Sequence, residues 1–292
     1  MALGFAAALL SYLLKSIRYL LLLGKRAGIR RVVGISIAQN VIAQLVPMRA
    51  GDVGFVVLVR KTGVASIGYG LASLLIVRLV DLFVLWGMYV VSLGMLSLDH
   101  PAYRWSAILL GIVLTAGILT AAAVVFGVER LSPRFEKLWQ RLGLFRFRAV
   151  RKGWRELVDG ARNLGLVLKP GLLVSLVLVS VAVWAVSCVW NYFAWMAVRV
   201  SLSAAEAVFM TSFSYLVTLL PVFLFGGIGT GDMLYAGVLE AFGKPGNVPA
   251  FTLCNRVLST LYQALFAVLF YFVMMGQWRA AENPERRLEA DR

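Results

Sequence analysis

Residues 32 to 61 read VVGISIAQNVIAQLVPMRAGDVGFVVLVRK. An apolar run to Val46 meets Pro47, then the polar step Met48-Arg49-Ala50-Gly51-Asp52, then a short apolar piece, Val53 to Val59, closed by Arg60-Lys61. Residues 204 to 246 repeat the plan. An apolar run to Leu220 meets Pro221, then Phe225-Gly226-Gly227-Ile228-Gly229-Thr230-Gly231-Asp232, then Met233 to Phe242 before Gly243-Lys244-Pro245-Gly246. A helix takes about 20 apolar residues to cross roughly 30 Å of hydrocarbon, so neither second piece spans alone. Each stretch is either one broken crossing or a hairpin that dips in and returns to its own side.

The rest of the chain says what it dips into. Of 292 residues 61% are hydrophobic and 15% charged, and the formal charge is +15; the mean hydropathy is +0.84. Soluble domains are about 45 to 50% apolar and about 25% charged, so this composition predicts an integral membrane protein. His100 is the one histidine, and Cys188 and Cys254 lie in separate apolar runs. That inventory excludes a His/Cys zinc site, a Ser-His-Asp triad and a disulfide framework. No cofactor or metal is expected. The high basic charge points to loops at the cytoplasmic face, not to nucleic acid.

Five apolar segments are predicted to span: 2 to 23, 65 to 97, 105 to 128, 171 to 197 and 248 to 276. The first is interrupted by Lys15 and Arg18, which are expected to snorkel toward headgroups. It has neither a charged leader nor a small-residue cleavage site, so it reads as a retained anchor. With both broken stretches as re-entrant hairpins, 23 of the 29 Lys and Arg fall on the cytoplasmic side. Arg104, Arg199 and Lys244 are then external, and Arg49, Arg78 and Arg256 lie at membrane depth. Single broken crossings would set the basic segment 129 to 170 opposite Lys25, Arg26, Arg30 and Arg31, against the positive-inside bias. Re-entrant hairpins are favoured.

The hairpins also match each other. Gly51-Asp52 precedes Arg78 by 26 residues, and Gly231-Asp232 precedes Arg256 by 24, each arginine lying within a long apolar helix. The expected architecture is an all-α polytopic membrane protein with about five full spans plus two re-entrant hairpins related as an inverted-topology repeat, as in many secondary transporters. The chain then forms one membrane domain, 1 to 278. Repeat 1 covers about 2 to 97, a connecting span 105 to 128, a basic cytoplasmic segment 129 to 170, and repeat 2 about 171 to 276. A charged cytoplasmic tail occupies 279 to 292.

Pro47-Met48-Arg49-Ala50-Gly51-Asp52, Arg78-Leu79-Val80-Asp81, Gly226-Gly227-Ile228-Gly229 with Asp232, and Asn255-Arg256 together resemble the membrane region of lysylphosphatidylglycerol synthases and their stand-alone flippase-like relatives. The similarity runs from about Leu13 to Met275. It differs from the family pattern in lacking a further helix before Leu13 to Leu22 and a soluble aminoacyl-transferase domain after Trp278. The resemblance therefore implies translocation without lysyl transfer, in a prokaryotic inner membrane.

The topology brings Arg49, Asp52, Arg78, Asp81, Asp232 and Arg256 within or near hydrocarbon, where a charge costs about 2.5 to 3.5 kcal/mol. A wet cavity between the halves would relieve that cost. Arginine forks match phosphate oxygens, so these residues, with Asn255, Gly227 and Gly229 from the motifs, are the candidate binders of a lipid phosphate. Asp52 and Asp232 are expected as N-caps of short helices whose positive ends face the same phosphate. Structural roles compete: Arg78 and Asp81, at i and i+3, as an ion pair on one helix face; the two aspartates as caps alone; the glycines as packing residues. Glu206 and Glu240 are expected at an interface.

Between 129 and 169, apolar residues at spacings of three and four, including Trp154, Leu157 and Ala161, predict one or two amphipathic helices on the inner leaflet, with Gly143 as a break. The leading expectation is a lipid translocase for an anionic phospholipid or a polyprenyl-phosphate-type lipid working by alternating access, with proton exchange open to Asp52, Asp81 or Asp232. Two alternatives stand beside it: an integral membrane transferase acting on a lipid headgroup, and a non-catalytic partner of a separate lipid-modifying enzyme. Expected partners are membrane lipids and no nucleic acid.

Overall fold

A computed structural model gives the fold. It describes residues 2–24, 27–45, 50–96, 107–112, 114–120, 169–217, 230–244 and 248–250, with shorter runs or single positions between 105 and 162 and between 253 and 268. Among the described residues every regular element is an α-helix: α1 (Ala2–Leu23), α2 (Ile29–Leu45), α3 (Ala50–Lys61), α4 (Ile67–Met95), α5 (Ala107–Thr120), α6 (Pro170–Ala197), α7 (Ala204–Val217) and α8 (Thr230–Ala241). Two of these, α4 and α6, are long and apolar enough to cross a membrane, and α5 is a shorter apolar helix. The expected span 248 to 276 lies outside the described residues save for a few positions, as do most of segment 129 to 170 and the tail.

Helix directions follow from a few contacts. Where α1 finishes α4 begins, the Tyr69 hydroxyl donating to the Leu22 carbonyl at 2.8 Å. The chain turns through Gly24 and Gly28, at φ 78 and 71, before α2 departs from that same end. Helices α2 and α3 are antiparallel, with Gln39 beside Asp52. They approach so closely at Gly54 that a Cβ there would sit 2.9 Å from Ile42 Cδ1. Then α3 returns, packing Val59 and Val56 against Gly70 of α4. The α2–α3 hairpin therefore opens at the end where α1 stops and α4 starts.

The second hairpin is turned the other way. Far along α4, Tyr89 packs on Phe209 of α7 with ring centres 5.2 Å apart. Nearer the middle, Trp184 of α6 donates to Asp81 and meets Tyr215 of α7 edge-on. So α7 runs against α4, starting from the far end. Helix α8 comes back alongside it, Phe242 against Phe209 and Lys244 paired with Glu206. This hairpin opens where α6 finishes, with Trp195 against Tyr235.

The return limbs α3 and α8 agree in detail. Each has 12 residues, and Asp52 and Asp232 are each the third. Each ends through the same cap. Thr62 N–H donates to Leu58, Gly63 to Arg60 and Val64 to Val59; Phe242 donates to Val238, Gly243 to Glu240 and Lys244 to Leu239. Gly63 and Gly243 take positive φ, 68 and 63, the left-handed step that glycine makes without strain. Each limb also meets the first helix of its half through an aromatic pair, Tyr19–Phe55 and Trp195–Tyr235.

Apolar burial binds these pieces. One cluster joins α1, α2, α3, α4, α6 and α7 through Leu22, Ile35, Phe55, Val77, Leu176 and Leu216. A second gathers Trp195, Met210 and Leu239 at the mouth of the second hairpin. Fully burying such side chains contributes about 1.5 to 3 kcal/mol each. Of the basic segment, Glu156 and Gly160 are packed backbone to backbone on Gly68 at the start of α4, where a Cβ on either glycine would overlap the other strand of main chain.

Candidate functional site

The polar residues of the first half converge on α4. Arg78 forms an ion pair with Asp52 of α3, and the same carboxylate oxygen accepts from Gln39 Nε2 of α2 at 3.0 Å. One turn on, Asp81 forms an ion pair with Arg18 of α1 and accepts from Trp184 Nε1 of α6 at 3.0 Å. Arg18 also donates to Ser180 Oγ at 3.1 Å. Lys15, one turn back on α1, donates to Asn40 Oδ1 at 3.3 Å and lies within electrostatic reach of Arg18, Asp81 and Arg78. The Tyr19 hydroxyl faces Gln39.

The two pairs differ in exposure. The Arg18 and Asp81 side chains are 5% and 8% exposed, whereas Arg78 is 39% and Asp52 18%. Breaking a buried pair by removing one partner costs about 3 to 5 kcal/mol, because the other charge is left uncompensated. The inner pair thus ties α1, α4 and α6 together. The outer pair leaves the Arg78 side chain partly exposed, while Arg78 Nε, like Arg18 Nε of the inner pair, is buried without a partner among the described residues. The cluster holds three basic side chains, Lys15, Arg18 and Arg78, against two acids, Asp52 and Asp81. An anion entering beside Arg78 would meet excess positive charge in a region where the dielectric is low.

Several expectations are corrected. Arg78 and Asp81 do not pair along one helix face; each takes a partner from another helix, Asp52 and Arg18, because the crossing helices offer better-matched groups than the i, i+3 neighbour. Lys15 and Arg18 do not snorkel to headgroups: Arg18 is 4% exposed and both side chains turn in toward α2 and α4. Asp52 is not an N-cap, since it lies in the first turn of α3 and its carboxylate bonds side chains instead of backbone. Asp232 likewise falls inside α8; its side chain lies outside the described residues, as do Arg49, Gly227, Gly229, Asn255 and Arg256. Of the nine candidates, Asp52, Arg78 and Asp81 are therefore located. Lys15, Arg18, Tyr19, Gln39, Ser180 and Trp184 join them, unforeseen. A charged pair inside an otherwise apolar run, such as Lys15 and Arg18, was the one signal available.

Glu206 closes the mouth of the second hairpin. Ser203 and Glu206 form a capping box, with Ser203 N–H donating to Glu206 at 2.6 Å and Glu206 N–H to Ser203 Oγ at 3.3 Å. Burial acts to raise this carboxyl, but the Lys244 ammonium and the Ser203 donors prevail and hold it below the usual carboxylate range. Among the described residues no group of three or more His, Cys, Asp or Glu could hold a metal ion.

Long apolar helices clasping a polar cluster define an all-α membrane protein. Residues 1–267 match the family model described as the lysylphosphatidylglycerol synthase TM region, and the chain belongs to that family. No curated protein and no solved structure matched it.

Proposed function

We propose that the protein is a lipid translocase, carrying an anionic phospholipid or a polyprenyl-phosphate-type lipid between leaflets by alternating access, and not an enzyme. The carrying observation is that α2–α3 and α7–α8 open at opposite ends while α4, which both hairpins contact, bears the partly exposed Arg78–Asp52 pair. Two oppositely opening hairpins with matched return limbs are what an inverted-topology repeat requires, and such repeats let one site face either side in turn. The family's name, lysylphosphatidylglycerol synthase TM region, supports a lipid as cargo.

In this reading the headgroup phosphate replaces Asp52 on Arg78 while the tails stay in the bilayer. The end carrying Arg30, Arg31, Arg60 and Lys61 faces the cytoplasm of a prokaryotic inner membrane, by the positive-inside bias.

The test is purified protein in liposomes with a fluorescent anionic lipid and a leaflet-restricted quencher. Wild type should accelerate exchange over empty vesicles, and Arg78→Ala should lose most of that gain. Equal rates with and without protein overturn the reading, and headgroup modification when a donor is supplied moves it to the transferase class. For topology, single cysteines at positions 60 and 244 in a background lacking Cys188 and Cys254 should label from opposite sides.

A further inference from the structure

The two hairpin mouths are chemically unlike. Glu206, the third residue of α7, meets Lys244 just past α8, so the second mouth is closed by its own ion pair. Arg31, the third residue of α2, stands at the corresponding place in the first hairpin. Arg30 and Arg31 begin α2 and Arg60 and Lys61 end α3, so the antiparallel hairpin sets all four at the same end. All four are exposed. Asp52, the one acid between residues 24 and 66, is turned away into the pair with Arg78.

Four cations at one mouth repel one another. Glu156 packs at this end by its backbone, on Gly68, but none of the four has an ion pair among the described residues, and an external anion would relieve them. What kind of anion is indicated by the helix above them. On α3, Val53 and Val57 are 67% and 43% exposed and lie on the face that continues one turn later into Arg60 and Lys61. Spacings of four and three keep these residues on one stripe. An apolar stripe that ends in paired bases at the mouth of a membrane hairpin has the profile of one lipid, tails above and phosphate below. A soluble phosphate would have no use for the valines.

We infer that the mouth of the first hairpin is a binding site for anionic lipid, the headgroup phosphate held among Arg30, Arg31, Arg60 and Lys61 and the acyl chains laid along Val53 and Val57. The bound lipid serves there as the counter-charge that Glu206 supplies to Lys244 in the second hairpin. The site needs a lipid to bind but not to cross, so it stands apart from translocation.

Native mass spectrometry of the detergent-solubilised full chain, titrated with phosphatidylglycerol or phosphatidylcholine, tests it. Wild type should bind phosphatidylglycerol in preference. With each nearby cation contributing to anionic-lipid attraction, the pairs Arg30→Gln/Arg31→Gln and Arg60→Gln/Lys61→Gln should each weaken phosphatidylglycerol binding about tenfold or more. The charge-preserving swap Arg60→Lys/Lys61→Arg and the distant Lys244→Gln should bind as wild type does. Undiminished phosphatidylglycerol binding in both Gln pairs would overturn the inference. So would equal affinity for phosphatidylcholine, or displacement of the lipid by millimolar inorganic phosphate. A wild type that binds the lipid yet fails to exchange it in liposomes would count against translocation and for this site.

Discussion

Gly63 and Gly243 occupy the same left-handed step of the same helix cap, at residue numbers that differ by 180. Neither has any atom within 4 Å of where a Cβ would stand, so backbone conformation and not crowding demands glycine at both. Gly63→Ala and Gly243→Ala should each destabilise by about 1 kcal/mol, with asparagine milder than alanine. Thermal unfolding in detergent checks this, and two unaffected midpoints would show that the caps do not restrain the hairpins.

The inner ion pair should behave as a structural clasp. Asp81→Ala or Arg18→Ala leaves a charge buried without its partner and is expected to cost about 3 to 5 kcal/mol. The double replacement Arg18→Met/Asp81→Leu should recover much of that loss. Chemical denaturation of the three variants gives the comparison; a double variant no better than the singles would refute the clasp.

Arg78 should divide function from folding. Because its side chain is 39% exposed, Arg78→Lys is expected to shift the unfolding midpoint little while slowing lipid exchange, since an ammonium lacks the two-pronged fork. Exchange by Arg78→Lys at the wild-type rate would argue that a point charge suffices.

The Glu206–Lys244 latch carries a definite pH sign. A carboxyl held below its usual range stabilises the fold above the unfolded carboxylate pKa, and that stability is lost as pH falls through the lowered folded value. Wild type should therefore lose more stability than Glu206→Gln on acidification through the carboxylate range. Parallel melting profiles for the two proteins would remove the latch from the account.

Much of this was legible in the chain. Length and hydropathy alone marked α1, α4 and α6 almost to the residue, because a helix in hydrocarbon must be long and apolar to satisfy its backbone. In the sequence Pro47 and Pro221 fall between α2 and α3 and between α7 and α8, and so marked off outgoing from returning limbs, since proline is disfavoured in a helix interior. Asp52, Arg78 and Asp81 were visible as charges in apolar surroundings. Their partners were not, because Arg18 lies 63 residues from Asp81 and Trp184 lies 103, and no periodicity reports on contacts between helices.

The sequence by itself determined that this is a membrane protein, that two of its apolar stretches are interrupted by proline and glycine, and that charges stand where oil is expected, since each follows from local composition. Only the tertiary structure decided which acid answers which base and toward which end each hairpin opens. Those outcomes depend on how helices distant in the chain cross, and a crossing is set by packing that no single segment contains.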